Sequence, residues 1–176
     1  AQEGACDPNA AGCIYPWREG LTAADCAPIK NKLSGFSVSD PCHIDAAVQC
    51  ALDSGHQLMI LDGTGGNGSL AAEISTPPRF DLLSLTVGAL RKRKKEEALL
   101  LVYGGGVRSG TDAARLIALG ASAVVYGVAA ALAMGGQLGH GNIQWGSERS
   151  ISERAKGLSS ILKANAGEAS MMARCT

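Results

Sequence analysis

Aromatic residues are scarce in this 176-residue chain: 4% of the total, as two Phe, three Tyr and two Trp. With 46% hydrophobic residues, a core is affordable only in aliphatic form, from Ala, Leu, Ile and Val. That suits parallel β/α architecture, whose strands are buried on both faces. There is no excess of charge either, with 16 Lys and Arg against 16 Asp and Glu. This argues against nucleic acid or an anionic membrane surface as a general partner. No apolar run reaches the roughly 18 residues of a membrane span, which leaves a membrane complex open as a host. The six cysteines, Cys6, Cys13, Cys26, Cys42, Cys50 and Cys175, form no CxxC pair. Metal-ligand spacing is therefore missing, and no metal ligand is assigned. In an oxidising compartment Cys6, Cys13, Cys26 and Cys42 would be able to staple the N-terminal segment; in a reducing one they are ordinary thiols. The chain begins at Ala1 without a methionine, consistent with a removed organelle targeting peptide, a processed precursor or a fragment.

Glycine, in contrast, is abundant, with 23 residues. The run Leu99-Leu100-Leu101-Val102-Tyr103 stops at Gly104-Gly105-Gly106, and a helix start follows at Val107-Arg108-Ser109-Gly110-Thr111-Asp112. A strand-to-helix turn without side chains leaves backbone N–H groups free to cradle an anion. The plan recurs at Ala123-Val124-Val125-Tyr126-Gly127. Two adjacent strand ends of this kind can share one phosphate, as the loops after the last two strands of a β/α barrel do.

Residues 1–34 read as an irregular arm punctuated by Pro8, Pro16 and Pro28, with at most a short helix near Ala23–Leu33. From Phe36 the chain becomes repetitive. Phe36–Ser39 reads as a short strand, and Ile44, Ala47, Val48, Ala51 and Leu52 recur at helical spacing before Gly55. Leu58–Leu61 is a buried strand ending in Asp62, followed by the turn Gly63-Thr64-Gly65-Gly66-Asn67-Gly68. A helix carrying Leu82, Leu83, Leu85 and Leu90 runs to about Lys95, and the strand Leu99–Tyr103 comes next. The helix Asp112–Leu119 has Ser109 or Thr111 as N-cap and Gly120 as its stop. Ala123–Tyr126 is a fourth strand, Val128–Met134 is helical, and a last helix covers about Ser152–Asn165. The pattern predicts about four βα units at residues 35–176, joined by right-handed crossovers: a parallel (β/α) half-barrel, TIM-barrel-like, behind the N-terminal arm. A full barrel needs eight units and roughly 250 residues. Two open strand edges and an apolar inner face call for protein partners to cover them.

The segment Gly105–Ala121 resembles the phosphate-binding segment of FMN-dependent β/α barrels. Leu61–Gly68 is similar to the glycine loop of the glutamate synthase FMN domain, and Gly167–Arg174 resembles the end of that domain. The likeness runs over Gly55–Gly135 and more weakly to Thr176, so it corresponds to the C-terminal half of the barrel. It implies FMN as cofactor, with Gly105, Gly106, Arg108, Ser109 and Gly110 on its phosphate and Gly127 completing the cradle. Asp62, Gly65, Gly66 and Gly68 would face flavin or substrate. In that family the barrel makes glutamate from 2-oxoglutarate and ammonia with electrons passed through an iron–sulfur cluster.

Three departures weigh against the full chemistry. The lysine that the family carries on an earlier strand has no counterpart in Phe36–Ser39. The region Met134–Ile143, where the family places cluster-binding cysteines, has none, so no iron–sulfur cluster is expected. The glycine loop is one residue short, with Asn67 where the family has threonine. The sequence thus leads to a structural or accessory subunit, a pseudoenzyme with no assigned catalytic residue. The alternative is an FMN-dependent oxidoreductase completed by a partner chain.

Other features have plainer readings. Asp112 reads as a helix cap, and Asp62 equally as a turn-stabilising residue or a site residue. His43, His56 and His140 share no spacing and read as surface or packing residues. The run Arg91–Lys95 reads as a solvated helix end whose cations meet the helix dipole. Trp17 and Trp145 lie outside the repeated units and are candidate partner anchors.

Overall fold

The computed structural model describes residues 12–22, 24–28, 31–66 and 70–174. Five strands form one sheet: β1 (Gly12–Pro16), β2 (Leu33–Val38), β3 (Leu58–Asp62), β4 (Leu100–Gly104) and β5 (Ala123–Val125). Every neighbouring pair is parallel, and the order in space is the order in sequence, β1-β2-β3-β4-β5. A doubly wound sheet reverses its order part-way; this one never does, which is the winding of a (β/α) barrel. Right-handed crossovers then put the helices on one face. The architecture is an α/β half-barrel.

The intervening helices are α1 (Ile44–Ser54), α2 (Leu70–Ser75), α3 (Phe80–Lys92), α4 (Gly110–Ala118) and α5 (Val128–Ala133). α1 ends as its sequence indicates, at Gly55 in the left-handed conformation with φ 75°. α4 starts on a capping box, with the Ser109 hydroxyl accepting the Asp112 N–H and the Asp112 carboxylate accepting the Ser109 N–H. Of the two cap candidates, Ser109 fills the position. A final helix, α6 (Ile151–Arg174), packs along α4 and α5 and is 24 residues long, well beyond the expected Asn165.

The two faces of the sheet differ sharply. One carries the register rows Tyr15, Phe36, Met59, Leu101 and Val38, Leu61, Tyr103, Val124. Phe36, Met59, Leu61 and Tyr103 are fully buried there, in one cluster with Ile44, Val48, Leu82, Leu83 and Leu90 from the helices. Each such aliphatic side chain contributes roughly 1.5–3 kcal/mol by leaving water, so this face holds the fold together. The opposite face carries Ile14, Leu100 and Val125, which are 36%, 51% and 48% exposed.

Two elements differ from expectation. The arm expected to be irregular contributes β1, which pairs with β2 from Gly12↔Leu33 to Pro16↔Ser37. Pro16 is tolerated because it closes an edge strand, where no ladder donor is needed. No helix forms among the described residues of 24–33. After α5 the chain makes an antiparallel hairpin, β6 (Gly136–Gly139) and β7 (Asn142–Trp145). Its two-residue turn has His140 at φ 49° and Gly141 at φ 78°, the geometry of the turn that matches strand twist.

Trp17 is not a free anchor. Its ring meets Phe36 edge-on at 5.3 Å and packs on the core. Trp145 is half exposed, with the Arg154 guanidinium 4.9 Å from its ring centroid. His56 is buried, as a packing role requires: its Nδ1 lies 2.9 Å from the Ser34 hydroxyl and its ring stands edge-on to Phe36 at 4.7 Å. Cys13, Cys26, Cys42 and Cys50 are free thiols, while Cys6 and Cys175 lie outside the described residues.

Candidate functional site at the glycine rim

Asp62, Gly104 and Val125 share the last register row, so the C-terminal ends of β3, β4 and β5 line up. The glycine turns after β3 and β4 therefore meet. The Gly63 N–H donates to the Gly104 carbonyl at 2.7 Å. A Cβ on Gly63 would lie 2.1 Å from the Tyr103 hydroxyl. Gly106 has φ +74°, and a Cβ there would lie 2.6 Å from the Thr76 carbonyl oxygen. These glycines thus allow close packing of backbone on backbone and on the Tyr103 hydroxyl.

Asp62 works inside its own turn. One oxygen accepts the Thr64 N–H at 2.8 Å and the Thr64 hydroxyl at 2.6 Å; the other accepts the Gly66 N–H at 3.1 Å. Of its two readings, this is the turn-stabilising one. Gly65 and Gly66 sit exposed on the same loop, and Gly68 lies outside the described residues.

Arg108 follows Gly105 and Gly106 as the cradle requires, but its guanidinium turns to backbone. It donates to the Ile74 carbonyl at 2.9 Å and the Thr76 carbonyl at 3.2 Å, at the C-terminal end of α2. A cation placed there satisfies carbonyls that the helix leaves open. The Arg108 and Ser109 N–H groups both go to Asp112, at 3.1 and 3.2 Å. The Tyr126 hydroxyl donates to the Ser109 carbonyl at 3.1 Å.

Three further donors, the Gly110 and Val128 N–H groups and the Thr111 hydroxyl, meet carboxylates that the sequence did not point to. The Gly110 N–H donates to Glu168 of α6 at 2.9 Å, and the Thr111 hydroxyl donates to the other oxygen of the same carboxylate. These two hydrogen bonds, the hydroxyl first, hold the Glu168 carboxyl below the usual carboxylate range. At the neighbouring strand end the Val128 N–H donates to Glu73 of α2 at 2.9 Å. A Cβ on Gly127 would lie 2.3 Å from that carboxylate. The nearest signal was the quoted segment Gly167–Arg174, which contains Glu168 without indicating its partner.

A phosphate at the starts of α4 and α5 would have to displace a carboxylate. The Gly110 and Val128 N–H groups already have anionic acceptors, and two of the five Arg108 guanidinium donors are turned to backbone carbonyls. Like charges about 4 Å apart repel by roughly 4 kcal/mol at an effective dielectric near 20, and a phosphate dianion would feel more. Among the described residues no group of three or more His, Cys, Asp or Glu could hold a metal. A cavity of about 510 Å³ lies off the rim, between α1 and the β1–β2 connection, and includes Trp17, Cys42 and Cys50.

The fold is an α/β half-barrel, and its likeness to known proteins is partial. Residues 75–144 match the family described as FMN-dependent dehydrogenase. A glutamate synthase large subunit-like protein of Rhizobium meliloti (strain 1021) is 34% identical over 89 residues, covering 48% of this chain and 20% of its own length. An archaeal-type glutamate synthase (NADPH) of Thermotoga sp. (strain RQ2) is 30% identical over 104 residues, covering 54% and 20%. These partial matches support an FMN-binding barrel domain of the glutamate synthase type over part of the chain. The chain spans about a fifth of the length of these curated relatives. The recombinant flavin-binding domain of baker's yeast flavocytochrome b2 superposes with a TM-score of 0.44 at 21% identity, covering 77% of this chain and 32% of that one. The family match supports FMN as the cofactor of this kind of domain.

Proposed function

We propose that this chain is a glutamate-synthase-like half-barrel acting mainly as a structural or accessory part of a larger assembly. It keeps the backbone outline of an FMN phosphate cradle without the full redox chemistry. One observation carries the reading: the polar side chains of the rim are engaged within the chain. Asp62 closes its own turn, Arg108 caps α2, Ser109 and Asp112 cap α4, and Tyr126 bonds Ser109. A catalytic acid, base or positioning group needs a face free to meet its reactant. The lack of a lysine in Phe36–Ser39 and of a cysteine in Met134–Ile143 supports the same reading. Protein surfaces covering the edges at β1 and β5 and the open face at Leu100 and Val125 complete it.

The match of residues 75–144 to FMN-dependent dehydrogenases favours a second reading, an FMN-dependent oxidoreductase of glutamate synthase type completed by a partner chain. The visible spectrum of the native assembly separates the two. The accessory reading expects no band assignable to this chain that bleaches with reductant. A flavin band near one equivalent per chain, bleached by reductant and restored by substrate, decides for the oxidoreductase.

A further inference from the structure

The rim presents a disagreement between its backbone and its side chains. The glycine turns have the shape of an anion cradle, yet the anions in it are the chain's own. Glu168 reaches the start of α4 from 58 residues away and takes both the Gly110 N–H and the Thr111 hydroxyl. Glu73 reaches the neighbouring turn from 55 residues away and takes the Val128 N–H. At Gly110 the backbone is packed closely against α6, with the Asn165 carbonyl oxygen 2.2 Å from an added Cβ. A Cβ on Gly110 would lie 2.7 Å from the Glu168 Cβ, and one on Gly127 would lie 2.3 Å from the Glu73 carboxylate. Arg108, the cation nearest these turns in sequence, is fixed on the Ile74 and Thr76 carbonyls.

We infer that Glu168 and Glu73 are built-in occupants of the cradle, and that the rim of this chain takes no phosphate from outside. A carboxylate offers two acceptor oxygens, the same chemistry that a phosphate offers to backbone N–H groups at a helix start. An internal carboxylate holds that place at an effective concentration no free anion matches. It also ties α6 to α4 and α2 to α5, so the filled cradle is a fastening for the C-terminal half of the chain. The inference concerns the anion place alone and stands apart from the accessory reading. Redox-active flavin held through its ring would overturn that reading and leave this one intact.

Inorganic phosphate is the probe, on the full chain in its native assembly, with ionic strength held constant by chloride. The unmodified chain is expected to show a flat unfolding midpoint across a phosphate titration. Glu168→Ala unfolds at a lower temperature, and phosphate, or acetate as a carboxylate analogue, restores part of the loss. Glu73→Ala behaves likewise. Phosphate-dependent stabilisation of the unmodified chain that is lost on adding a β-carbon by Gly110→Ala overturns the inference. So does a folded Glu168→Ala chain that neither phosphate nor acetate stabilises. If neither variant folds, the titration of the unmodified chain decides: flat supports the inference, a rise overturns it.

Discussion

The hydroxyl of Tyr103, at the end of β4, accepts the backbone N–H of Arg79 at 2.5 Å, just before α3 begins. Arg79 is the N-cap of that helix and has no side-chain cap. The tyrosine thus anchors the N-cap residue to the sheet by that residue's own N–H, the donor that the N3 carboxylate takes in a capping box. The same oxygen is what leaves no room for a Cβ on Gly63.

Tyr103→Phe is therefore expected to destabilise the chain although it keeps the ring and its packing. Tyr103 is fully buried, so the Arg79 N–H loses its acceptor and no water replaces it readily. An orphaned buried donor costs about 1–3 kcal/mol. For a chain of this size that lowers the unfolding midpoint by roughly 2–4 °C per kcal/mol. Calorimetry checks it, and an unchanged midpoint would remove the bond from the account of how α3 is anchored.

Glu168 predicts acid sensitivity confined to the end of the chain. Its folded pKa is depressed by the Thr111 hydroxyl and the Gly110 N–H. A depressed carboxyl contributes stability above its unfolded pKa, near 4.3, and loses it as pH falls through the folded value. Hydrogen exchange in α6 and at the start of α4 should quicken together as pH drops below about 4.3. In Glu168→Ala that pH step should be gone and exchange should be fast throughout.

His56 predicts a second pH window, well separated from the first. Burial pushes its pKa below the ordinary histidine value. The unfolded chain then binds a proton more readily than the folded one as pH drops below about 6.5. Stability is full above that point and declines as pH falls through the folded pKa. Urea midpoints measured from pH 8 to 5 should fall, and His56→Phe, which keeps an aromatic ring beside Phe36, should flatten the curve in this range.

What could be read without coordinates followed local pattern. The runs Leu58–Leu61 and Leu99–Tyr103 are apolar, short and bounded by glycine, and both became central strands. The Ser109 cap and the Gly55 stop are local chemistry, and both hold. β1 was not legible because Gly12, Cys13 and Pro16 carry no strand preference; pairing along β2 makes them a strand. The hairpin at Gly136–Trp145 hides its turn because His140 stands where Asn or Asp usually precedes the glycine of such a turn. The glycine turns after β3, β4 and β5 stand out in the sequence, but the carboxylates that bond near two of them do not. Glu73 and Glu168 act across 55 and 58 residues, and no periodicity marks a contact of that range.

Gly106→Ala separates steric fit from backbone strain when it is set beside Gly55→Ala. Both glycines are left-handed, with φ +74° and φ +75°. An L residue in that region costs about 1–2 kcal/mol, and both variants bear it. Around Gly55 nothing lies within 4 Å of an added Cβ. At Gly106 the added atom meets the Thr76 carbonyl oxygen at 2.6 Å and the Pro77 carbonyl carbon at 3.0 Å. These are backbone atoms and cannot rotate aside. The segment Thr76–Pro78 must move away, and with it the carbonyl that receives Arg108. Gly55→Ala should thus cost about 1–2 kcal/mol, and Gly106→Ala more than that by the overpacking penalty of about 1–3 kcal/mol. Equal losses in chemical denaturation would mean that the turn at Gly106 does not press on the loop before α3.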